Sequence, residues 1–280
     1  MYLILLLMGF AVGSGIIMLF QALLLPHINA RYEMYLILWL QNIFLFILPA
    51  LCVELWSRRR SGGCKVWQLS DEGQPHIDTG CPEWVSVMVL FIASFFASEL
   101  LTWCGELLPV PQMFEAIEEE VGSLYDQLLG ERDPMAMIAV WGATALLAPF
   151  SEELFFRGGM QGCLVSKSDR PHLAILLVAI VFSAIHMQWS GFFARLFLGL
   201  VLGYLAYYFG LWWAIFFHIL NNALVLLSAT MGADAWLESV RGSRWLIVLG
   251  LVGMAYVVWF FGIMVTKKVT HKENAISNED

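Results

Sequence analysis

The sequence predicts an all-α fold, a polytopic membrane helical bundle with about eight transmembrane helices in a single domain spanning 1–280. Two observations predict it. Hydrophobic residues fill 60% of the 280 positions and charged residues only 14%, against about 25% charged in a soluble domain. The apolar residues also fall in long runs, whereas a transmembrane barrel would show short alternating segments. The few charges then become informative. Glu152, Glu153 and Arg157 sit in the middle of the apolar run 136–163, where each ionised group costs roughly 2.5–3.5 kcal/mol or more at bilayer depth.

A spanning helix needs about 20 apolar residues. On that measure the spans are 2–25, 34–55, 83–108, 136–163, 172–187, 191–209, 211–229 and 244–266. The first begins MYLILLLMGF, without a basic leader or a small-residue cleavage site, and reads as a retained helix. Arg58, Arg59, Arg60, Lys65, Lys167, Arg170, Lys267, Lys268 and Lys272 then fall on one side, and Arg31, Arg132, Arg241 and Arg244 on the other. Nine basic residues against four orient both termini into the cytoplasm. The expected setting is a multi-pass protein of the bacterial inner membrane with the lipid bilayer as its surroundings. A net charge of −8 argues against a nucleic-acid partner.

The connecting segments carry less. The loop 56–82 is rich in Gly, Ser and charge and is expected in the cytosol, which makes free thiols of Cys64 and Cys81. In 109–134, Phe114, Ile117, Val121, Leu124 and Leu128 recur at helical spacing beside a glutamate cluster. That pattern gives an amphipathic helix on the extracytoplasmic surface, or else a solvated connector. The polar tail 267–280 is expected to be disordered.

The polar groups inside the spans come next. Glu153 and Arg157 are four apart with the acid first, the favourable order for a helical ion pair, and their simplest role is mutual neutralisation. Glu152 lies about 100° around the helix and has no local partner. In a dry site it would take up a proton; beside water it can act as a general base. His186 follows Phe182 by four residues, and Asn222 follows His218 by four, so each pair shares a helix face. Asn221 falls on another face, and Arg195 sits near a span end, where it can snorkel. The spacings Gly158/Gly162 and Gly199/Gly203 allow close helix approach. None of the five cysteines has metal-ligand spacing, no HExxH or GxSxG is present, and no second intramembrane aspartate pairs with Asp234.

Written as motifs, these residues are EExxxR at Glu152–Arg157, FxxxH at Phe182–His186 and HxxxN at His218–Asn222, in that order on successive spans. The pattern resembles the CPBP intramembrane proteases, the family of the type II CAAX prenyl endopeptidases and the bacterial Abi proteins, over a core of about 136–229. The resemblance implies an intramembrane glutamic endopeptidase acting on a membrane-associated protein or peptide. It implies that Glu152 activates water, that His186 assists it, and that His218 and Asn222 hold the oxyanion. Glu153 and Arg157 would support the site, with no metal and no cofactor. The six motif positions all match. The rival readings are a non-catalytic protein of the same fold, such as an immunity or chaperone-like factor, and a transporter using the Glu/His relay. Internal repeats and broken helices, the usual signs of a transporter, are not apparent in the sequence. The protease reading requires Glu152, His186, His218 and Asn222 to converge near the midplane on one polar cavity. Glu152 should lie within one water of His186, and the opening is expected toward the cytoplasm.

Overall fold

A computed structural model of the chain describes residues 1–23, 27, 30–58, 81–130, 133–166, 170–231, 239 and 243–277. Among these residues the chain is helical, without strands. The first two spans comprise α1 (Tyr2–Leu23), α2 (Ala30–Gln41) and α3 (Leu48–Arg58). Then come α4 (Glu83–Glu106) and the surface helix α5 (Gln112–Gly130). The fourth span contains α6 (Pro134–Val140), α7 (Ala148–Glu153) and α8 (Gly162–Val165). After it follow α9 (Pro171–Ala184), α10 (Phe192–Tyr208), α11 (Leu211–Met231) and α12 (Arg244–Ser277). Most of the 56–82 loop, with Cys64, lies outside the described residues, as do Arg132, Lys167 and Arg241.

Among the described residues, six helical rods are long and apolar enough to cross a membrane: Tyr2–Leu23, Tyr32–Ser57, Glu83–Glu106, Pro134–Val165, Leu211–Thr230 and Arg244–Thr266. The protein is an integral membrane protein. The other two expected spans are short. Helices α9 and α10 have 14 and 17 residues, hence lengths of about 21 and 26 Å, less than the roughly 30 Å hydrocarbon core. They form a hairpin whose connection replaces the last turn expected for the fifth span, and His186 lies in that connection rather than in the helix.

Two of the long rods are not α-helical throughout. Wider π-type turns occupy Asn42–Ile47 in the second span, and Trp141–Leu147 and Leu154–Gln161 in the fourth. Such turns occur frequently at functional sites. The fourth span carried the signals for them: Pro149 lacks an N–H, and Gly158-Gly159 resists regular helix. Helix α7, which carries both glutamates, is one short α-helical stretch between two π segments. The C-terminal tail also differs from expectation, since α12 continues as helix to Ser277. A helix already nucleated in the apolar segment propagates readily into a Lys/Glu/Ala-containing sequence.

Packing follows close backbone approach, because lipid gives little hydrophobic drive for one helix to join another. α12 lies along α4, α10 is surrounded by α4, α9 and α11, and α1 packs on α3. Two glycines show how tight this is. A Cβ at Gly253 of α12 would run into the Ala93 carbonyl oxygen of α4, and one at Gly199 of α10 would stand 3.1 Å from Ala179 of α9. A core of Phe46, Phe155, Phe156 and Phe182 fills the space beside the fourth span. Its rings meet edge-on or tilted at 5.1–6.0 Å.

Gly253→Val should part α12 from α4 and destabilise the fold by about 1–3 kcal/mol. Gly262, on the same helix with nothing near its missing side chain, provides the control. Thermal unfolding in detergent should show a lower midpoint for Gly253→Val than for Gly262→Val; equal midpoints would contradict this packing.

Candidate active site

The centre of the site is one oxygen. Glu153 is fully buried, and its Oε1 accepts a hydrogen bond from Arg157 Nη1 at 2.8 Å and another from His218 Nδ1 at 2.8 Å. The i,i+4 pair read from the sequence is present and gains a third member from α11. Arg157 spends its Nη2 on the Gly199 carbonyl at 3.2 Å. Gln161, one turn further, likewise donates to the Gly203 carbonyl at 2.9 Å. The two small residues of α10 thus admit the helix backbone that receives these donors.

Because a carboxylate only accepts, His218 Nδ1 carries a proton, and Nε2 is the nitrogen left for chemistry. It stands 3.9 Å from Glu152 Oε2, too far for a direct hydrogen bond. Glu152 is the less enclosed of the two glutamates, with 13% of its side chain accessible against none for Glu153. The sequence reading linked Glu152 to His186, and here the imidazole that faces it is His218.

His186 is built differently. Beyond the end of α9 its Nδ1 donates to the Phe182 carbonyl at 2.8 Å. A carbonyl only accepts, so this nitrogen too is protonated and Nε2 is the open position. The phenyl ring of Phe182 joins the two histidines, with centroids 5.2 Å from His186 and 5.8 Å from His218. It also lies 4.5 Å beneath the Arg157 guanidinium, a cation–π contact. Phe182, quoted in a motif but given no role there, is the apolar hub on which three site residues rest.

Asn222 is oriented by a backbone carbonyl. Its Nδ2 donates to Thr144 O at 3.0 Å. That carbonyl is available because of the π turn. Ala148 N–H is bonded to Ala143 O, and the next residue, Pro149, has no N–H to give. The second Nδ2 hydrogen of Asn222 stays available, and Asn221 approaches its Oδ1 at 3.4 Å. On the other flank Ser151 donates to Asn42 Oδ1 at 2.7 Å, and Asn42 Nδ2 is fixed on Leu38 O at 2.8 Å. The second span therefore buttresses the helix that bears the glutamates.

The connection holding His186 is over-determined. Met187 has φ 55°, a left-handed conformation that costs a bulky residue of order 1–3 kcal/mol. Opposing this strain, Ser183 Oγ donates to Phe192 O at 2.6 Å, and Arg195 donates to Gln188 Oε1 and O at 2.9 and 2.6 Å. Arg195 is therefore a strut of this turn and does not snorkel. From outside, Glu118 of α5 accepts Ser190 N–H at 2.9 Å and Ser190 O–H at 2.9 Å. Phe114 stacks on Trp189 with centroids 6.0 Å apart, and only a glycine at 105 leaves room for the Ser190 carbonyl. Helix α5 is thus the amphipathic helix read from 109–134, docked on the bundle by its inner face rather than a solvated connector. Its inner face includes an acid because that acid has backbone donors to receive. Burial pushes the Glu118 carboxyl up, but the Ser190 and Trp189 hydrogen bonds and the Arg195 charge outweigh it and leave the group below its ordinary value.

A cavity of about 200 Å³ lies between α5, the fourth span and α11, with Asn222 and Thr144 among its lining residues. Tyr125 and Leu128 of α5 also line it. The sequence reading gave α5 no part in the site. Among the described residues, no group of three or more His, Cys, Asp or Glu side chains converges to hold a metal ion.

Residues 134–224, which contain all three motifs, match the family model described as type II CAAX prenyl endopeptidase Rce1-like. The match supports the resemblance to the CPBP family over that segment. No curated protein and no solved structure is similar enough to count as a match. The Rce1-like segment begins with α6 and ends within α11, so α1–α5 and α12 lie outside it.

Replacing either Glu153 or Arg157 alone by a neutral residue leaves a buried charge uncompensated, a loss often worth 3–5 kcal/mol. The double neutral variant should recover part of it. Unchanged unfolding midpoints for the single variants would refute the pairing. For Glu118, a carboxyl held below its ordinary value stabilises the fold above that value, and the contribution vanishes as pH falls through it. Glu118→Gln should therefore unfold earlier than the wild type near pH 7, and the difference should vanish as pH falls below the lowered value of the carboxyl. A difference independent of pH would rule out the carboxylate as its source.

Proposed function

We propose that the protein is an intramembrane endopeptidase that hydrolyses a peptide bond in a membrane-associated protein or peptide, with Glu152 activating the water. The observation that carries this reading is the position of His218, one nitrogen on Glu153 and the other facing Glu152. Two glutamates and one arginine carry a net charge of −1. One further proton, on Glu152 or on His218, makes the buried cluster neutral, the arrangement a low-dielectric site favours. That proton is the one the chemistry moves.

The reacting state has Glu152 ionised and His218 protonated. Glu152 accepts a proton from water as the water oxygen attacks the scissile carbonyl carbon. The developing oxyanion accepts hydrogen bonds from His218 Nε2–H and the second Nδ2–H of Asn222. Collapse of the tetrahedral intermediate breaks the C–N bond. The leaving nitrogen takes up the proton first removed from water, which His186 Nε2 is free to relay. Glu153 and Arg157 set the His218 tautomer and touch no substrate. No covalent intermediate forms.

Glu152→Gln keeps size and hydrogen bonding and removes basicity. It should fold with the wild-type unfolding midpoint and lose at least about a hundredfold in cleavage. The measurement compares new N-termini among membrane proteins of cells expressing wild type and variant, read by mass spectrometry. Identical sets of termini would favour a non-catalytic protein of the same fold. For Asn222→Ala the expected loss is about 10²–10³ in kcat on a substrate found that way. A change confined to KM would remove the residue from the oxyanion site.

A further inference from the structure

The cavity beside Asn222 has a chemistry of its own. Asn222 and Thr144 belong to the matched core, while Tyr125 and Leu128 come from α5 and Leu226 and Ala229 from the last turns of α11, all four beyond the match. No charged side chain lines it, so an acidic or basic guest would be desolvated without a partner. Its volume of about 200 Å³ also restricts the guest. A dry apolar cavity of about 150 Å³ accepts a benzene-sized group, whereas drug-sized ligands need about 300 Å³ or more. The space suits one large aliphatic or aromatic side chain.

The walls on either side are held in place. Residues 114, 118, 121, 125 and 128 of α5 share one face at three- and four-residue spacing. Phe114 and Glu118 fasten that face to the His186 turn, and Leu128 is buried against Tyr35, Val140 and Leu226. Tyr125 lies between these two anchors, so the backbone that carries its ring is fixed, while the ring itself lines the cavity and is half exposed. At the other end Asn222 brings the cavity directly against the proposed oxyanion position.

We propose that this cavity is a specificity subsite, receiving one large apolar side chain of the peptide substrate at a residue flanking the scissile bond, with Tyr125 setting its size. The assignment rests on the endopeptidase reading and names the substrate feature that reading leaves open. The core matched to the family supplies the reacting groups, and α5, outside it, supplies the selection.

The test uses the full-length protein in phospholipid vesicles. The probe is a synthetic library of membrane-inserting peptides randomised across their central positions, with cleaved bonds read by mass spectrometry. Wild-type cleavage should concentrate Leu, Ile, Met and Phe at one position beside the bond. Ala229→Phe fills the cavity and should shift that position toward Ala and Gly by about tenfold or more, since a single methylene in such a pocket is worth 10–200-fold. Tyr125→Ala enlarges it and should shift the same position toward Phe and Trp. Unfolding midpoints show that both variants are folded. Wild-type cleavage without an apolar preference, or a preference that neither variant moves, overturns the subsite and leaves the endopeptidase reading standing. Absence of any Glu152-dependent cleavage overturns both.

Discussion

The shared acceptor Glu153 Oε1 is the constraint on which the rest of the site depends. Arg157 arrives from the same span and His218 from α11, and each donates to that one atom. The guanidinium then reaches α10 through the Gly199 carbonyl and covers the ring of Phe182 on α9. A buried carboxylate without these partners would be expensive or uncharged. With them it becomes the junction of four helices and fixes which nitrogen of His218 faces Glu152. The same residues that hold the bundle together thus determine the protonation geometry of the candidate catalytic pair.

Around this junction the short α9–α10 hairpin raises a second demand. Non-helical backbone at membrane depth is tolerated only where protein covers it and satisfies its polar groups. The turn after Ala184 meets that demand with Ser183, Arg195 and Glu118, one group from each of three helices. Helix α5 therefore covers irregular backbone whose polar groups need partners. Its glutamate is in the docking face because Ser190 offers two donors there.

Much of this was legible from composition and spacing. Long apolar runs gave the membrane bundle, and the i,i+4 spacings of Glu153/Arg157 and His218/Asn222 gave shared helix faces. What spacing could not give was the partner across helices. Glu152 looked unpartnered because His218 is 66 positions away in sequence, and Arg195 looked like a snorkelling cation because its acceptor is a loop carbonyl. The π turns were missed although Pro149 and Gly158-Gly159 signalled irregular helix. Hydrophobic pattern reports which face is apolar and says little about backbone winding. The docking face of α5 was read as apolar throughout, when one of its contacts is a charged acceptor.

The orientation of Asn222 rests on something the chain does not have. In the fourth span the Thr144 carbonyl goes unclaimed by its own helix, because Ala148 turns to Ala143 and Pro149 has no hydrogen to offer. The amide of Asn222 fills that position. A terminal amide is otherwise among the least constrained of polar groups, with a broad and nearly two-fold torsion. Here its handedness is written into the backbone of another helix by an imino acid that never touches it. Information about which end of the amide faces the cavity is thus stored as an omission, one turn of helix removed from the group that reads it.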